Sequence, residues 1–206
     1  NLIAACRRAI ARRQPELAAA SFLAAWSVLE AQGPYGMAAE LGRQVAELDG
    51  IDARRRVEVQ LAVAAALRAG GEIGPADALL AQALALARTS HERSAEAMAL
   101  RELAVACHRQ GRTLEAQHHF ATARALYETL GNRARLAGVI ANVANLQMEH
   151  GQMEQAQGSY LAALALHREV GNRAAEGIAL GNLAALRYEL GDIDAAHAAY
   201  DAALRI

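Results

Sequence analysis

The sequence contains no lysine, since all 21 of its basic residues are arginine. A chain without lysine has no P-loop, no Schiff-base residue and no kinase-type phosphate-binding residue. The 3 prolines and the aromatic share of 4% give little support to strands or to proline-rich linkers. The two cysteines, Cys6 and Cys107, form neither a disulfide framework nor a C-x-x-C pair, which favours a reducing, cytoplasmic compartment.

The charge balance is close to neutral, with a formal net charge of −1. Such a chain has no long-range field to recruit nucleic acid or an acidic membrane, so we expect neither as a direct partner. Charged residues interrupt each apolar stretch before it is long enough to cross a bilayer. The bias to arginine and alanine suggests a bacterial source. The first residue is Asn1 rather than methionine, from which we expect the chain to be a segment of a longer protein.

Alanine is the most frequent residue type, with 53 of 206 residues. Because alanine is the best helix former, this composition predicts helix nearly throughout. The chain also repeats itself every 40 residues. Glycine marks the middle of each repeat, at Gly71, Gly111, Gly151 and Gly191. A large residue follows nine positions later, at Leu80, Phe120, Tyr160 and Tyr200.

Each repeat reads as two helices with a turn between them. Apolar residues at helical spacing predict one helix from Arg133 to about Glu149 and a second from about Met153 to Val170. Gly171 suits a left-handed helix end, and Asn172 suits the cap of the next helix. We therefore predict an all-α chain of about 11 helices that forms a single array over 1–206. Its parts are an orphan second helix at 1–13 and repeats at 14–50, 51–90, 91–130, 131–170 and 171–206.

Small residues are expected where the helices cross. Ala144 and Ala156 would meet inside one repeat, and the rings of Tyr160 and Tyr200 would fill the wedge between neighbouring repeats. A single helix pair cannot bury its apolar stripe, whereas a stack of pairs can. The pattern therefore predicts an array stabilised mainly by contacts between adjacent helices.

These residues resemble the tetratricopeptide repeat family, whose pattern has small residues at helix crossings, a glycine between the helices and an aromatic residue on the second helix. The last two repeats match it at Ala144, Gly151, Ala156, Tyr160 and Ala163, and at Ala184, Gly191, Ala196, Tyr200 and Ala203. The family's usual tryptophan and terminal proline are absent, and the period is 40 rather than 34 residues. The long form is similar to arrays of kinesin light chains, spindle-orientation adaptors and bacterial regulators related to the maltose-regulon activator. The resemblance implies a right-handed α-solenoid.

The resemblance also implies a binding surface, because in such arrays the first helix of each pair lines the concave groove. The groove residues that we single out are Arg101, His108, Asn142, Asn145, Met148, Asn182 and Tyr188. In similar adaptors, asparagines of this kind clamp the backbone of an extended peptide, and a carboxamide offers the donor and acceptor this needs. The alternative is that the asparagines only bond neighbouring side chains or loop carbonyls. Arg101 and His108 favour an acidic ligand, whereas Glu149 and Glu189 favour the opposite charge.

No catalytic or metal-binding pattern accompanies this surface. The sequence has no G-x-S-x-G, H-E-x-x-H or dinucleotide-binding glycine pattern. His118 and His119 are adjacent and point about 100° apart on a helix, so they cannot chelate one ion together. We therefore expect no metal, no cofactor and no enzymatic activity.

Three functions are compatible with the sequence. The first is a protein- or peptide-binding scaffold within a larger bacterial signalling or regulatory protein. The second is a domain of a transcriptional regulator that senses a small molecule, which an enclosed apolar pocket would favour over an open groove. The third is a homo-oligomerisation module, because a solenoid end without a polar cap exposes apolar surface and favours dimers.

Overall fold

The computed structural model describes all of residues 1–206 and contains eleven α-helices and no strand. The helices are α1 Leu2–Ala11, α2 Pro15–Gln32, α3 Tyr35–Ala46, α4 Ala53–Ala69, α5 Ile73–Thr89, α6 Arg93–Arg109, α7 Thr113–Thr129, α8 Arg133–Glu149, α9 Met153–Glu169, α10 Arg173–Glu189 and α11 Ile193–Leu204. The all-α prediction and its helix count are confirmed. None of these helices combines the length and apolarity that crossing a bilayer requires.

The turns follow the chemistry expected of them. Gly171 ends α9 with φ at +69°, a left-handed conformation that costs glycine little. The side chain of Asn172 then accepts a hydrogen bond from the backbone N–H of Ala175 at 3.2 Å and so caps α10. His91 stands at the same repeat position as Gly131 and adopts a positive φ of +57° without being glycine. The turn geometry thus keeps the 40-residue register even where the residue type changes.

The chain divides into two compact units, Asn1–Ala106 and Cys107–Ile206. The first contains α1 to α5 and most of α6, and each of α1 to α4 packs on the helix that follows it. Gly42 on α3 is a point of close approach, because a methyl group there would lie 2.3 Å from Cγ2 of Val63 and 2.5 Å from Cζ of Phe22. Glycine is therefore the residue that lets α3 pack this closely against α2 and α4.

The second unit contains the end of α6 and all of α7 to α11. Its core brings Ala144 on α8 and Ala156 and Tyr160 on α9 together with Leu183 and Leu186 on α10. The expected meeting of Ala144 with Ala156 is confirmed. The Tyr160 ring is fully buried where α9 packs against α8 and α10, as its wedge position predicts.

The matching expectation for Tyr200 is wrong. Its side chain is 41% exposed. Tyr200 lies on α11, and of the eleven helices described only α10 packs against α11. The repeat position alone therefore does not bury the ring. That residues 1–206 form one continuous array stays a prediction.

Candidate peptide-binding face

Two neighbouring first helices of the second unit, α8 and α10, touch each other and both pack on α9. Residues three or four positions apart share one side of a helix. Along one line of each helix, where every residue is at least partly exposed, α8 presents Gly138, Asn142, Asn145 and Met148, and α10 presents Ile178, Asn182, Ala185 and Tyr188. We call this surface the α8–α10 face. Ile178 and Tyr188 are its most exposed apolar residues, at 68% and 60%.

Asn142 and Asn182 lie one repeat apart on this face, and each is half-buried. Neither carboxamide takes part in a hydrogen bond within the protein. Two partly desolvated carboxamides therefore keep their donors and acceptors available on the same surface. The alternative that such asparagines bond neighbouring side chains does not describe these two residues.

Asn145 differs from them because it is engaged inside the fold. The hydroxyl of Tyr160 on α9 donates a hydrogen bond to its Oδ1 at 2.5 Å. Burial raises the pKa of Tyr160 to about 12, and the charges of Glu149 and Glu189 add to that rise. The neutral phenol is thus held as a donor to Asn145. This asparagine links α8 to α9 through one of the two acceptor sites of its carboxamide oxygen.

His108 and Met148 lie near one end of this surface. The ring Nε2 of His108 lies 2.6 Å from Oε2 of Glu149, so the histidine expected to attract an acidic ligand is instead paired with a carboxylate of the protein. Met148 is half-buried and packs on the cluster that contains Tyr160. Glu189, one repeat after Glu149, forms no ion pair.

Arg101 belongs to the first unit. Its guanidinium bonds the carboxylate of its neighbour Glu102, which also accepts a 3.4 Å hydrogen bond from Arg68. Both arginines are more than half-buried in their side chains. The positive charge of Arg101 is therefore balanced within the fold. The peptide-binding roles of Arg101, His108, Asn142, Asn145, Met148, Asn182 and Tyr188 remain predictions.

Ile178 was not singled out by the sequence. The residue one repeat earlier is Gly138, so comparing positions 40 residues apart does not predict a large side chain at this position. A signal was nevertheless present in α10 itself. Ile178, Asn182, Ala185 and Tyr188 follow each other at helical spacing and mark one side of the helix.

Two clefts lie in the first unit. The larger, about 420 Å³, opens between the ends of α1 and α3 and is lined by Ile10, Arg13, Gln44, Glu47, Leu48 and Asp49. The smaller, about 160 Å³, is mainly apolar and lies between the start of α1 and the end of α2. Both are open to solvent. No group of three or more His, Cys, Asp or Glu residues is placed to hold a metal ion.

Comparison with known proteins identifies the repeat. Residues 133–206 match the family model of the tetratricopeptide repeat. No curated protein matches the sequence. Among solved structures, BtubC (BKLC) from P. vanneervenii has a TM-score of 0.76 at 21% identity, over 98% of this chain and 88% of that one. A putative kinesin light chain from Podosopora anserina with nearly identical TPR-like repeats has a TM-score of 0.64 at 18% identity, over 90% and 92%.

A further similar structure is a Rap protein complexed with competence and sporulation factor. It has a TM-score of 0.78 at 18% identity, over 93% of this chain and 54% of that one. At these identities the similarity concerns the fold. Together with the family match over residues 133–206, it shows that this chain has an all-α, TPR-like repeat fold.

Proposed function

We propose that this chain is a non-catalytic binding module and that its α8–α10 face takes up an extended peptide segment of a partner protein. One observation carries the proposal, namely that Asn142 and Asn182 are half-buried, one repeat apart and free of hydrogen bonds. Neither carboxamide is among the buried polar atoms that lack a partner, so water reaches both, and a ligand's backbone can replace that water with hydrogen bonds worth about 0.5–1.5 kcal/mol each. Asparagine is also disfavoured inside helices, so its presence there twice needs a reason other than helix stability.

The spacing of the two carboxamides suits an extended chain. Packed helices lie about 8–10 Å apart, so a peptide that runs along α8 and α10 has one carboxamide on either side of its backbone. Asn142 on α8 and Asn182 on α10 would therefore engage successive peptide residues, whose backbone groups point to opposite sides of an extended chain. Each carboxamide has a donor and an acceptor, so each can bond both the C=O and the N–H of one peptide residue.

The comparisons support this choice over the others. One similar structure, the Rap protein, is described as a complex with competence and sporulation factor, and residues 133–206 of this chain match the tetratricopeptide repeat model. The face is also an open surface rather than an enclosed pocket, which favours a peptide over a small molecule. We place the module in the cytoplasm of a bacterium, as part of a larger signalling or regulatory protein.

The test is selection of peptides from a random nine-residue library on the folded protein, followed by affinity measurements on the Asn142→Ala/Asn182→Ala variant. With each hydrogen bond worth about 0.5–1.5 kcal/mol, losing two to four should weaken binding of the selected peptides at least about fivefold. The matched control is Gln117→Ala/Gln157→Ala, which removes two carboxamides one repeat apart from the second helices α7 and α9. Equal affinity for both double variants would refute the proposed function.

A further inference from the structure

Two carboxylates lie at the same end of the α8–α10 face. Glu149 is the last residue of α8 and Glu189 the last residue of α10, one repeat apart, and both are exposed. Their charges both raise the pKa of Tyr160, whose hydroxyl bonds Asn145, so both act on the same point beneath the face. This end of the face is therefore negatively charged.

The position of the two glutamates makes the negative potential stronger. The C-terminal end of a helix carries a partial negative charge from its free carbonyl groups, so a carboxylate there is unfavourable. Both α8 and α10 end in this unfavourable way. A bound cation would interact with the carboxylates and with the two helix ends at once.

The protein leaves one of the two carboxylates without a counter-ion. Glu149 accepts the hydrogen bond of His108, whereas Glu189 forms no ion pair. The nearby Arg187 directs its guanidinium to the backbone carbonyl of Ala195 at 3.3 Å and not to Glu189. Arg109 occupies the equivalent position at the end of α6 and is exposed, so the carboxylates at this repeat position begin with Glu149.

Two exposed apolar side chains accompany the charge. Tyr188 precedes Glu189 on α10 and exposes 60% of its surface, which offers an aromatic ring to a cation. Ile178 lies near the other end of α10 and is 68% exposed. From Ile178 to Glu189 the helix advances eleven residues, or about 16 Å at 1.5 Å per residue.

From this arrangement we infer the kind of peptide that the face recognises. The ligand is an extended segment with an arginine or lysine side chain bound at Glu189 and Tyr188 and an apolar side chain resting on Ile178. At about 3.3 Å per extended residue, the basic and apolar residues stand four or five positions apart. The inference rests on the proposed function, and it adds the ligand's charge and spacing.

The selected peptides give the first test. We expect them to be enriched in one basic and one apolar residue at a spacing of four or five. If the selected peptides are neutral or acidic, this inference is wrong. If those same peptides bind the Asn142→Ala/Asn182→Ala variant more weakly, the proposed function still holds. A library that yields no binders would overturn both.

The second test asks whether Glu189 is the residue that binds the basic side chain of the peptide. The selected peptide is synthesised in two versions, one with arginine and one with glutamine at the basic position. Both versions have an acetylated N-terminus, so that only the arginine side chain supplies a cation at that position. Glu189→Gln should weaken the arginine peptide at least fivefold and leave the glutamine peptide within twofold. The control Glu154→Gln removes an equally exposed carboxylate from α9 and should change neither. Equal effects of the two variants on the arginine peptide would refute the site.

Discussion

Gly42 offers a sharp test of the packing, because α3 contains a matched control in the same helix. A methyl group at Gly42 would lie 2.3 Å from Val63 and 2.5 Å from Phe22, whereas one at Gly36 would meet nothing within 4 Å. Val63 and Phe22 are themselves buried, so neither can move aside freely. Forcing extra volume into such a core costs about 1–3 kcal/mol. In a chain of this size, 1 kcal/mol corresponds to about 2–4 °C in the melting midpoint.

The assay is thermal unfolding followed by circular dichroism. Gly42→Ala should lower the midpoint by about 4–8 °C, taking about 2 kcal/mol as the net cost. Gly36→Ala removes the same conformational freedom from the unfolded chain without a clash, so it should leave the midpoint unchanged or raise it slightly. Equal midpoints for the two variants would show that α2, α3 and α4 do not approach each other as described.

Three further predictions concern the second unit. Ala156→Leu should cost about 1–3 kcal/mol through overpacking against Ala144 and Tyr160, and an unchanged melting midpoint would contradict the helix crossing. Because burial raises the pKa of Tyr160 from 10.0 to about 12, the stability that it adds is present below pH 10 and is lost between pH 10 and 12. Tyr160→Phe should lose less stability over that range in urea titrations, and an identical pH profile would count against the buried phenol. Burial lowers the pKa of His167 below 6.5, so the unfolded chain takes up the proton first and stability falls as the pH drops below 6.5. His167→Leu should flatten the decline between pH 7 and 5, and urea midpoints that decline equally would refute it.

Much of the fold follows from the period of the sequence. Gly171 and Asn172 end one helix and begin the next through local chemistry, which depends only on residues close in the chain. The meeting of Ala144 with Ala156 also follows from the period, because neighbouring repeats must place the same small residues at the same crossing. Tyr200 shows that a repeat position alone does not determine burial, since the burial of its ring depends on what packs against α11.

The site was less predictable than the fold. Asn142 and Asn145 look equivalent in the sequence, yet only Asn145 meets a tyrosine hydroxyl from the next helix. That difference depends on the distance between α8 and α9, which no local pattern specifies. The exposure of Ile178 was hidden for a similar reason, because its repeat equivalent is glycine.

The most direct test of the binding face is photo-cross-linking of a selected peptide that carries a benzophenone side chain, with the adducts located by mass spectrometry. We predict adducts on α8 and α10, chiefly at Met148, Ile178 and Tyr188, and their loss in the Asn142→Ala/Asn182→Ala variant. Adducts confined to the second helices α7 and α9, for example at the exposed Leu114 and Leu161, would contradict it.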